Sequence, residues 1–405
     1  MMPTGPWTRA LALMIVAPLV AVTQAAYPLT TDSNCHCYKT NTTANYFSHH
    51  HFFDFRSLSQ HVNVTTPLPD FDTNAQAPPT SAYLADSEFS RAWAVMNWNN
   101  SASLNNTDVT DATVQMVNSP NNIYIERDDG GSSTHLTLRT VRHATFQSSA
   151  EFESRSAGYQ FLSVRMHART RGDPGAITAM FTYRPPPVPH NTSLVQEADL
   201  EIRTRDPPAY VQYTNQPAWN STSDIPDATR NVTLPKGRRW SEWADWRMDW
   251  TPGSSTWYVN GELASRITFQ APRDPALVMF NAWSDGGSWS GDMLVGAQAY
   301  LQIQWIEMVY NNTDAGAVKK GGCANVCSID ETSKIGQPVL MTGECRPAAL
   351  WGCNLLLTSL RGGSCLHLGQ VRPVCREKLE RVSELCGGDN VPVFERLLLA
   401  MPVMS

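Results

Sequence analysis

The run Gln196-Glu197-Ala198-Asp199-Leu200-Glu201-Ile202 sets three acids at alternate positions with small or apolar residues between them. On a β-strand, where side chains alternate between faces, that spacing sends Glu197, Asp199 and Glu201 to one side and Ala198, Leu200 and Ile202 to the other. Three carboxylates in a row repel one another, so at least one is expected to keep its proton to a higher pH than a free Glu does. Glycoside cleavage needs such a pair: one carboxyl protonates the leaving oxygen while a second attacks or activates water, with roughly 5 to 5.5 Å between them for retention of configuration. Four residues of flat strand separate Cα atoms by about 13 Å, so the outer pair serves only if the sheet is concave and both side chains lean inward. Asp199 lies midway, where it can hydrogen-bond the nucleophile and keep a proton nearby. A solvent-facing strand with an acidic outer face would carry the same residues, and the surrounding sequence has to separate the two readings.

That context is aromatic. Trp283 and Trp289 flank Ser284-Asp285-Gly286-Gly287, while Trp257, Trp305 and the group Trp240, Trp243 and Trp246 fall on or beside expected strands. Sugar rings present C–H faces that pack on aromatic planes, so a glycan cleft needs such platforms with a few polar neighbours. Most of the 13 tryptophans are expected in the core. Asn281, Trp283 and Asp285, spaced for one face of a strand, together with Trp289 and Trp305, are the candidate substrate-binding residues.

The elements that must position these groups read as strands. Short runs at 123–126, 135–140, 161–168, 177–183, 198–202, 246–250, 256–259, 276–282 and 301–309 alternate with turns such as Asp129-Gly130-Gly131, Thr251-Pro252-Gly253 and Asn260-Gly261. Their count and spacing favour an all-β sandwich over alternating βα units. Residues 27 to about 80 read as an N-terminal segment that loosens into a Pro- and Thr-rich loop. The stretch 341–405 does not continue the sandwich; it carries an amphipathic helix candidate at 376–386 and an apolar end interrupted by Glu395 and Arg396, which weakens a lipid-anchor signal.

Arg9, followed by an apolar run over 10–22 that ends in small residues at Ala25 and Ala26, reads as a signal peptide over 1–25. The run is shorter than the roughly 20 residues a membrane span requires. Eight sequons, at Asn41, Asn63, Asn99, Asn105, Asn191, Asn220, Asn231 and Asn311, agree with export, so a secreted, extracellular or cell-wall-associated glycoprotein is expected. The nine cysteines then become candidate staples. Cys35 and Cys37 are expected to join Cys323 and Cys327, since these four bracket the sandwich; Cys345, Cys353, Cys365, Cys375 and Cys386 make the count odd. A four-cysteine zinc site is the competing use, but Cys35-His36-Cys37 is tighter than the usual ligand pairs. A net charge of -6 with no Lys/Arg-rich run argues against nucleic acid and leaves a neutral ligand open.

On Glu197-Ala198-Asp199-Leu200-Glu201 the chain resembles glycoside hydrolase family 16, whose signature is the unbulged E-x-D-x-E strand. Trp246-Arg247-Met248-Asp249-Trp250-Thr251-Pro252-Gly253 followed by Trp257-Tyr258-Val259-Asn260-Gly261 looks like the family's paired strands and hairpin. Asn281 to Gly287 looks like its cleft strand, and Ile303-Gln304-Trp305-Ile306-Glu307 like its closing strand. The resemblance, in the style of secreted fungal members, covers about residues 35 to 335. Ala198, where members often carry a branched aliphatic, and the C-terminal tail depart from it.

The resemblance implies a concanavalin A-like jelly roll over 26–340, two curved antiparallel sheets with a cleft on the concave side. It implies Glu197 as nucleophile and Glu201 as acid/base with Asp199 assisting, an order the residues alone do not supply. The expected activity is retaining, endo-acting cleavage of β-linked glucan, β-1,3 or mixed β-1,3/1,4, by a monomer that needs no cofactor or metal. Two other readings stay open: a cell-wall transglycosylase moving glucan or chitin chains, if a sugar hydroxyl rather than water attacks the intermediate, and a lectin that binds glycan without cutting it.

Overall fold

The computed structural model describes residues 27–104, 110–188, 191–220, 222–316 and 323–341. The expected signal peptide, Asn105, the candidate helix at 376–386 and the five last cysteines lie outside them. A compact unit ends at Leu340.

Two layers of mostly antiparallel strands enclose the core. The first layer runs, in spatial order, Thr229–Thr233, Tyr210–Gln216, Gln196–Arg203, Ile177–Arg184, Leu277–Trp283 and Phe146–Ser154. The second runs Thr134–Arg142, Gln298–Asn312, Tyr159–Gly172, Ala244–Thr251, Ser254–Val259 and Glu262–Ile267. Phe146–Ser154 belongs to both, because its first residues pair with Thr134–Arg142 through Val141 opposite Ser148. Such closure leaves few unpaired edges, the general solution for a large all-β unit.

Alternation makes the sandwich. From the first layer Ala198, Leu200, Ile202, Val211, Tyr213, Val278 and Phe280 enter the core; Val164, Met166, Trp246, Met248, Trp250 and Trp257 meet them from the second. The Asn260-Gly261 turn joins Ser254–Val259 to Glu262–Ile267, with φ of 49° at Asn260 and 78° at Gly261. Both residues of a type I′ hairpin need positive φ, which is why Asn and Gly stand there.

The N-terminal segment is more ordered than a loop. His49–Asp54 adds a strand against Gln298–Asn312, with Trp305 opposite Asp54 and Tyr310 opposite His49. Short helices follow at Phe71–Ala75, Ala82–Ala85 and Glu88–Ala92; the last is started by Ser87, whose Oγ accepts from the Phe89 amide while Ser90 Oγ accepts from the Ser87 amide. Phe89 is fully buried against Phe53, Phe55 and Phe152. A sequence rich in Pro and Thr hides such elements because they are too short to show periodicity.

Cys37–Lys39 runs parallel to Val326–Ser328, and the cysteines pair as Cys35–Cys327 and Cys37–Cys323. These segments cover an ion-pair network on the outer face of the second layer. Fully buried Glu307 accepts from Arg165 Nε at 2.8 Å and contacts His50 Nε2 at 3.0 Å, while Arg165 also reaches Asp330 at 2.8 Å. Asp249 receives Arg247 at 2.7 Å. Of the sequon residues described, Asn41, Asn63, Asn99, Asn191, Asn220 and Asn231 are exposed and Asn311 is half-buried.

Candidate active site

Glu197, Asp199 and Glu201 project from the face of the first layer that points away from the sandwich core. Register fixes their neighbours: Tyr183 and Gln216 flank Glu197, Phe181 and Thr214 flank Asp199, and Ala179 and Gln212 flank Glu201. The same face carries a second apolar cluster of Ile177, Ala179, Phe181 and Met279, packed by Tyr183, Leu277, Trp283 and Trp289. A sheet face exposed to water would not bury these groups; here Asp199 is only 2% exposed, so the acids sit in an apolar-lined depression.

Burial sets the protonation pattern. Asp199 is held well above the ordinary carboxyl range by burial first, then by the charges of Glu197 and Glu201. Both its oxygens are buried without a hydrogen bond of ordinary geometry, with Glu197 and Gln216 as its polar neighbours. Burial pushes Glu197 up to about 7, with Asp199 opposing as a hydrogen-bonding neighbour and Glu201 and Glu151 adding to the rise. Burial also takes Glu201 to about 7, against the Trp289 indole and the Arg203 charge, which favour its ionised form. Trp289 Nε1 donates to Glu201 at 3.1 and 3.2 Å. Arg203 lies 4.6 Å over the Trp289 ring and is itself held by Asp206 at 2.8 Å. The three carboxyls titrate as one system in which Asp199 keeps its proton, while Glu197 and Glu201 divide one charge near neutral pH.

A fourth carboxyl, missed from sequence, joins the same row. Glu201, Ala179, Asn281 and Glu151 stand opposite one another across four strands. Glu151 accepts from Trp98 Nε1 at 2.8 Å and from Asn281 Nδ2 at 3.4 Å. It is 4% exposed and burial pushes it up to about 7, helped by the charge of Glu153. Its strand, Phe146–Ser154, is Ser-rich and is not among the runs that read as strands from sequence; the local signal is the alternation Ala150-Glu151-Phe152-Glu153.

Among the described residues no three His, Cys, Asp or Glu side chains are grouped as ligands for a metal ion, and no helix is long and apolar enough to cross a membrane.

Residues 110–307 match the family model described as Glycosyl hydrolases family 16. The matched segment is a glycosidase domain. It holds the acid strand, Glu151, Asn281 and Trp289, and hydrolyses O-glycosyl bonds. The chain is similar to the beta-glucanase of Paenibacillus polymyxa, 25% identical over 195 residues that make up 47% of this chain and 75% of that one. It is also similar to the beta-glucanase of Bacillus subtilis, 25% identical over 175 residues, 42% of this chain and 66% of that one. Among solved structures it is similar to a β-1,3-1,4-glucanase (lichenase) derived from a mouse hindgut metagenome, at 23% identity and a TM-score of 0.40 over 56% of this chain and 96% of that one. The catalytic domain of an endo-1,3-β-glucanase (laminarinase) from Thermotoga petrophila matches at 15% identity and a TM-score of 0.43, over 55% and 92%.

The remaining sequence-derived site residues of the glycosidase domain divide. Asn281 and Trp283 lie on the strand two places from the acids, where Trp283 pairs with Ile177, and Trp289 touches Glu201 directly. Asp285 is not on their strand, which ends at Trp283. Its carboxylate organises the following loop instead, accepting from the Gly287 amide and from Ser290 Oγ, both at 2.9 Å. The alternation stops with the strand at Trp283, and a positive φ of 72° at Gly286 turns the backbone just beyond Asp285.

Trp305 also needs correction. It belongs to the second layer, not the acid layer, and is 4% exposed between Phe52 and His167, with ring centroids at 6.3 and 5.8 Å. A register shift between Ile303 and Trp305 inserts one residue, so Leu301 and Ile303 face the core before it and Ile306 and Met308 after it. Trp305 is thereby turned to the outer face. Trp240, Trp246 and Trp257 are core residues, as expected of most tryptophans.

Proposed function

We propose that the glycosidase domain cleaves internal bonds of β-linked glucan by double displacement. Glu201, protonated, gives its proton to the glycosidic oxygen while the Glu197 carboxylate attacks the anomeric carbon, forming a covalent glycosyl-enzyme; Glu201, now ionised, then takes a proton from the water that releases the sugar. Asp199 keeps its own proton and offers it as a hydrogen bond to Glu197, which favours the ionised nucleophile. Once Glu197 is charged, Glu201 gives up its proton less readily, as an acid catalyst must. The Trp289 indole steadies Glu201 in its ionised form for the second step.

The observation that carries this reading is a row of three carboxyls on one non-core sheet face among aromatic side chains, Asp199 buried between half-buried Glu197 and Glu201, with the outer two raised to about 7. The similarity to beta-glucanases supports β-glucan as the substrate, and the order of roles rests on the family resemblance of the E-x-D-x-E strand. The two disulfides and the exposed sequons support a secreted protein.

The test is mass spectrometry of products from β-1,3 and mixed-linkage oligosaccharides with a labelled acceptor present. Shorter, unlabelled products are expected. Label carried into longer chains would replace hydrolysis with transglycosylation, and no product on any β-glucan would overturn the substrate.

A further inference from the structure

Residues 63–80 leave the sandwich and come back to it at nearly the same point. The Asn63 amide donates to Ile125 O at 3.0 Å and Thr80 Oγ1 donates to Ile123 O at 2.6 Å, so both ends are pinned to the strand Ile123–Arg127. Asn63 Nδ2 then ties the ends together by donating to Thr80 O at 2.7 Å. Within the loop, buried Asn74 donates to Leu68 O at 2.9 Å and to Asp70 O at 2.7 Å. A loop closed in this way ordinarily packs on its own side chains. This one borders a cavity of about 480 Å³, with Asn63, Leu68, Gln76, Pro78, Pro79 and Asn121 on its walls. That volume lies within the roughly 300–1,000 Å³ of small-ligand sites, and proline rings and an aliphatic side chain with amides between them suit one sugar ring.

Asn63 is placed to supply that sugar. It is exposed, lines the cavity and opens the sequon Asn63-Val64-Thr65. Its side-chain nitrogen uses one hydrogen on Thr80 and has a second that a sugar can replace, so the bond that closes the loop survives modification. Val64 is 60% exposed and Pro78 and Pro79 are exposed as well, an apolar surface beside the sequon asparagine.

We infer that Asn63 carries an N-linked glycan whose first N-acetylglucosamine is seated in this cavity and serves as a structural part of the loop. The inference rests on the secretion proposed above and not on the substrate. The C–H face of the ring and the acetamido methyl pack on Pro78, Pro79 and Leu68, while the ring hydroxyls and the acetamido group reach Gln76 and Asn121. Attachment joins the Asn63 nitrogen to C1 of the N-acetylglucosamine that ends a polyprenyl-diphosphate-linked oligosaccharide. The C1–O bond to the diphosphate breaks, and the proton given up by the amide leaves with the polyprenyl diphosphate. In the folded protein the Thr65 hydroxyl is engaged, donating to Asn121 O at 2.6 Å and accepting from Arg139 Nη2 at 3.1 Å, so transfer takes place before the loop closes.

The experiment uses the protein secreted from a eukaryotic host, its glycans trimmed by an endoglycosidase to a single N-acetylglucosamine, and the same chain exported to a bacterial periplasm, where disulfides form but no sugar is added. Peptide mapping by mass spectrometry should find N-acetylglucosamine on Asn63. Asn63→Gln should lower Tm by about 3 °C more in the trimmed protein than in the sugar-free one, where the loss measures only the bond to Thr80. Trimming by itself should leave Tm unchanged. Equal losses in the two forms, or a fall on trimming, would overturn the seat. Glycans at other sequons with Asn63 bare would overturn the inference and leave secretion standing, whereas no glycan at any sequon would remove both. Should the sugar-free protein not fold, Val64→Pro in the glycoprotein takes its place, since it keeps Asn63 and its bond to Thr80 but breaks the sequon. A loss of about 3 °C is expected there, and melting level with the unaltered protein would overturn the seat.

Discussion

The buried carboxyl of Glu151 makes a stability prediction that does not depend on knowing the substrate. In the folded protein its titration rises from the ordinary 4.5 to about 7, chiefly because burial penalises the charged form. An acid raised in this way holds its proton in the folded state between about pH 4.5 and 7 while the unfolded chain has already lost it. Its contribution is therefore undiminished below 4.5 and is eroded as pH climbs to 7. At 1.36 kcal/mol per pH unit the full erosion is about 3 kcal/mol, complete only above pH 7.

Glu151→Gln removes the ionisation and keeps the shape. The amide oxygen still accepts from Trp98 Nε1, and the amide nitrogen faces Asn281, whose Oδ1 is buried without a partner among the described residues and can accept once that amide turns over. The variant is expected to match the wild type in thermal unfolding near pH 4 and to exceed it by about 3 kcal/mol at pH 8. For a domain of this size that is roughly 6 °C in Tm. Calorimetry or circular dichroism across pH 4 to 8.5 reads the difference, and Tm curves that run parallel over the whole range would refute the reasoning.

Further expectations follow the same logic. Glu197→Gln or Glu201→Gln should lower turnover by several orders of magnitude with folding preserved, and azide should partly rescue Glu201→Ala on a substrate with a good leaving group; wild-type-like rates in either Gln variant would displace the site. Trp289→Phe removes the donor that favours ionised Glu201 but keeps the ring beneath Arg203, so the alkaline limb of the pH–rate profile should move up by as much as about one pH unit, and a downward move would contradict it. Arg165→Met strands fully buried Glu307, which burial alone would raise and which His50 and Arg165 together hold low; a loss of about 3–5 kcal/mol is expected, with activity per folded molecule unchanged because the network lies on the other layer. His50, raised to about 9 by Asp32 and Glu307 against its burial, adds stability that is full below about 6.5 and lost as pH rises through 9. Together with the raised acids it should put the wild type's maximum Tm on the mildly acidic side; a maximum at pH 8 or above would count against these assignments.

Much of the molecule is written in local pattern. Period-two alternation marks nine of the strands, and Gln196 to Ile202 by itself separates a core face from an acidic face, because on a strand nothing but parity decides which way a side chain points. The Asn260-Gly261 hairpin is equally local, since its φ angles are available to few other residues. What lies outside such patterns needed the assembled structure. Phe146–Ser154 alternates only weakly, with Ser148 interrupting the apolar parity of Phe146, Ala150 and Phe152, and pairing on both sides makes it a strand and brings Glu151 into line with Glu201. Trp305 falls on the second layer, which takes it out of the candidate site, and one inserted residue before it reverses the parity of that long strand and turns the indole from the core to the outer face. Asp285, two residues past Trp283, was expected to share its face, and the chain leaves the strand before reaching it. Residue types alone identified which groups were able to do chemistry; their pKa shifts, and the partners Trp98, Trp289 and Asn281, arise from burial between distant segments, and burial is a property only the tertiary structure confers.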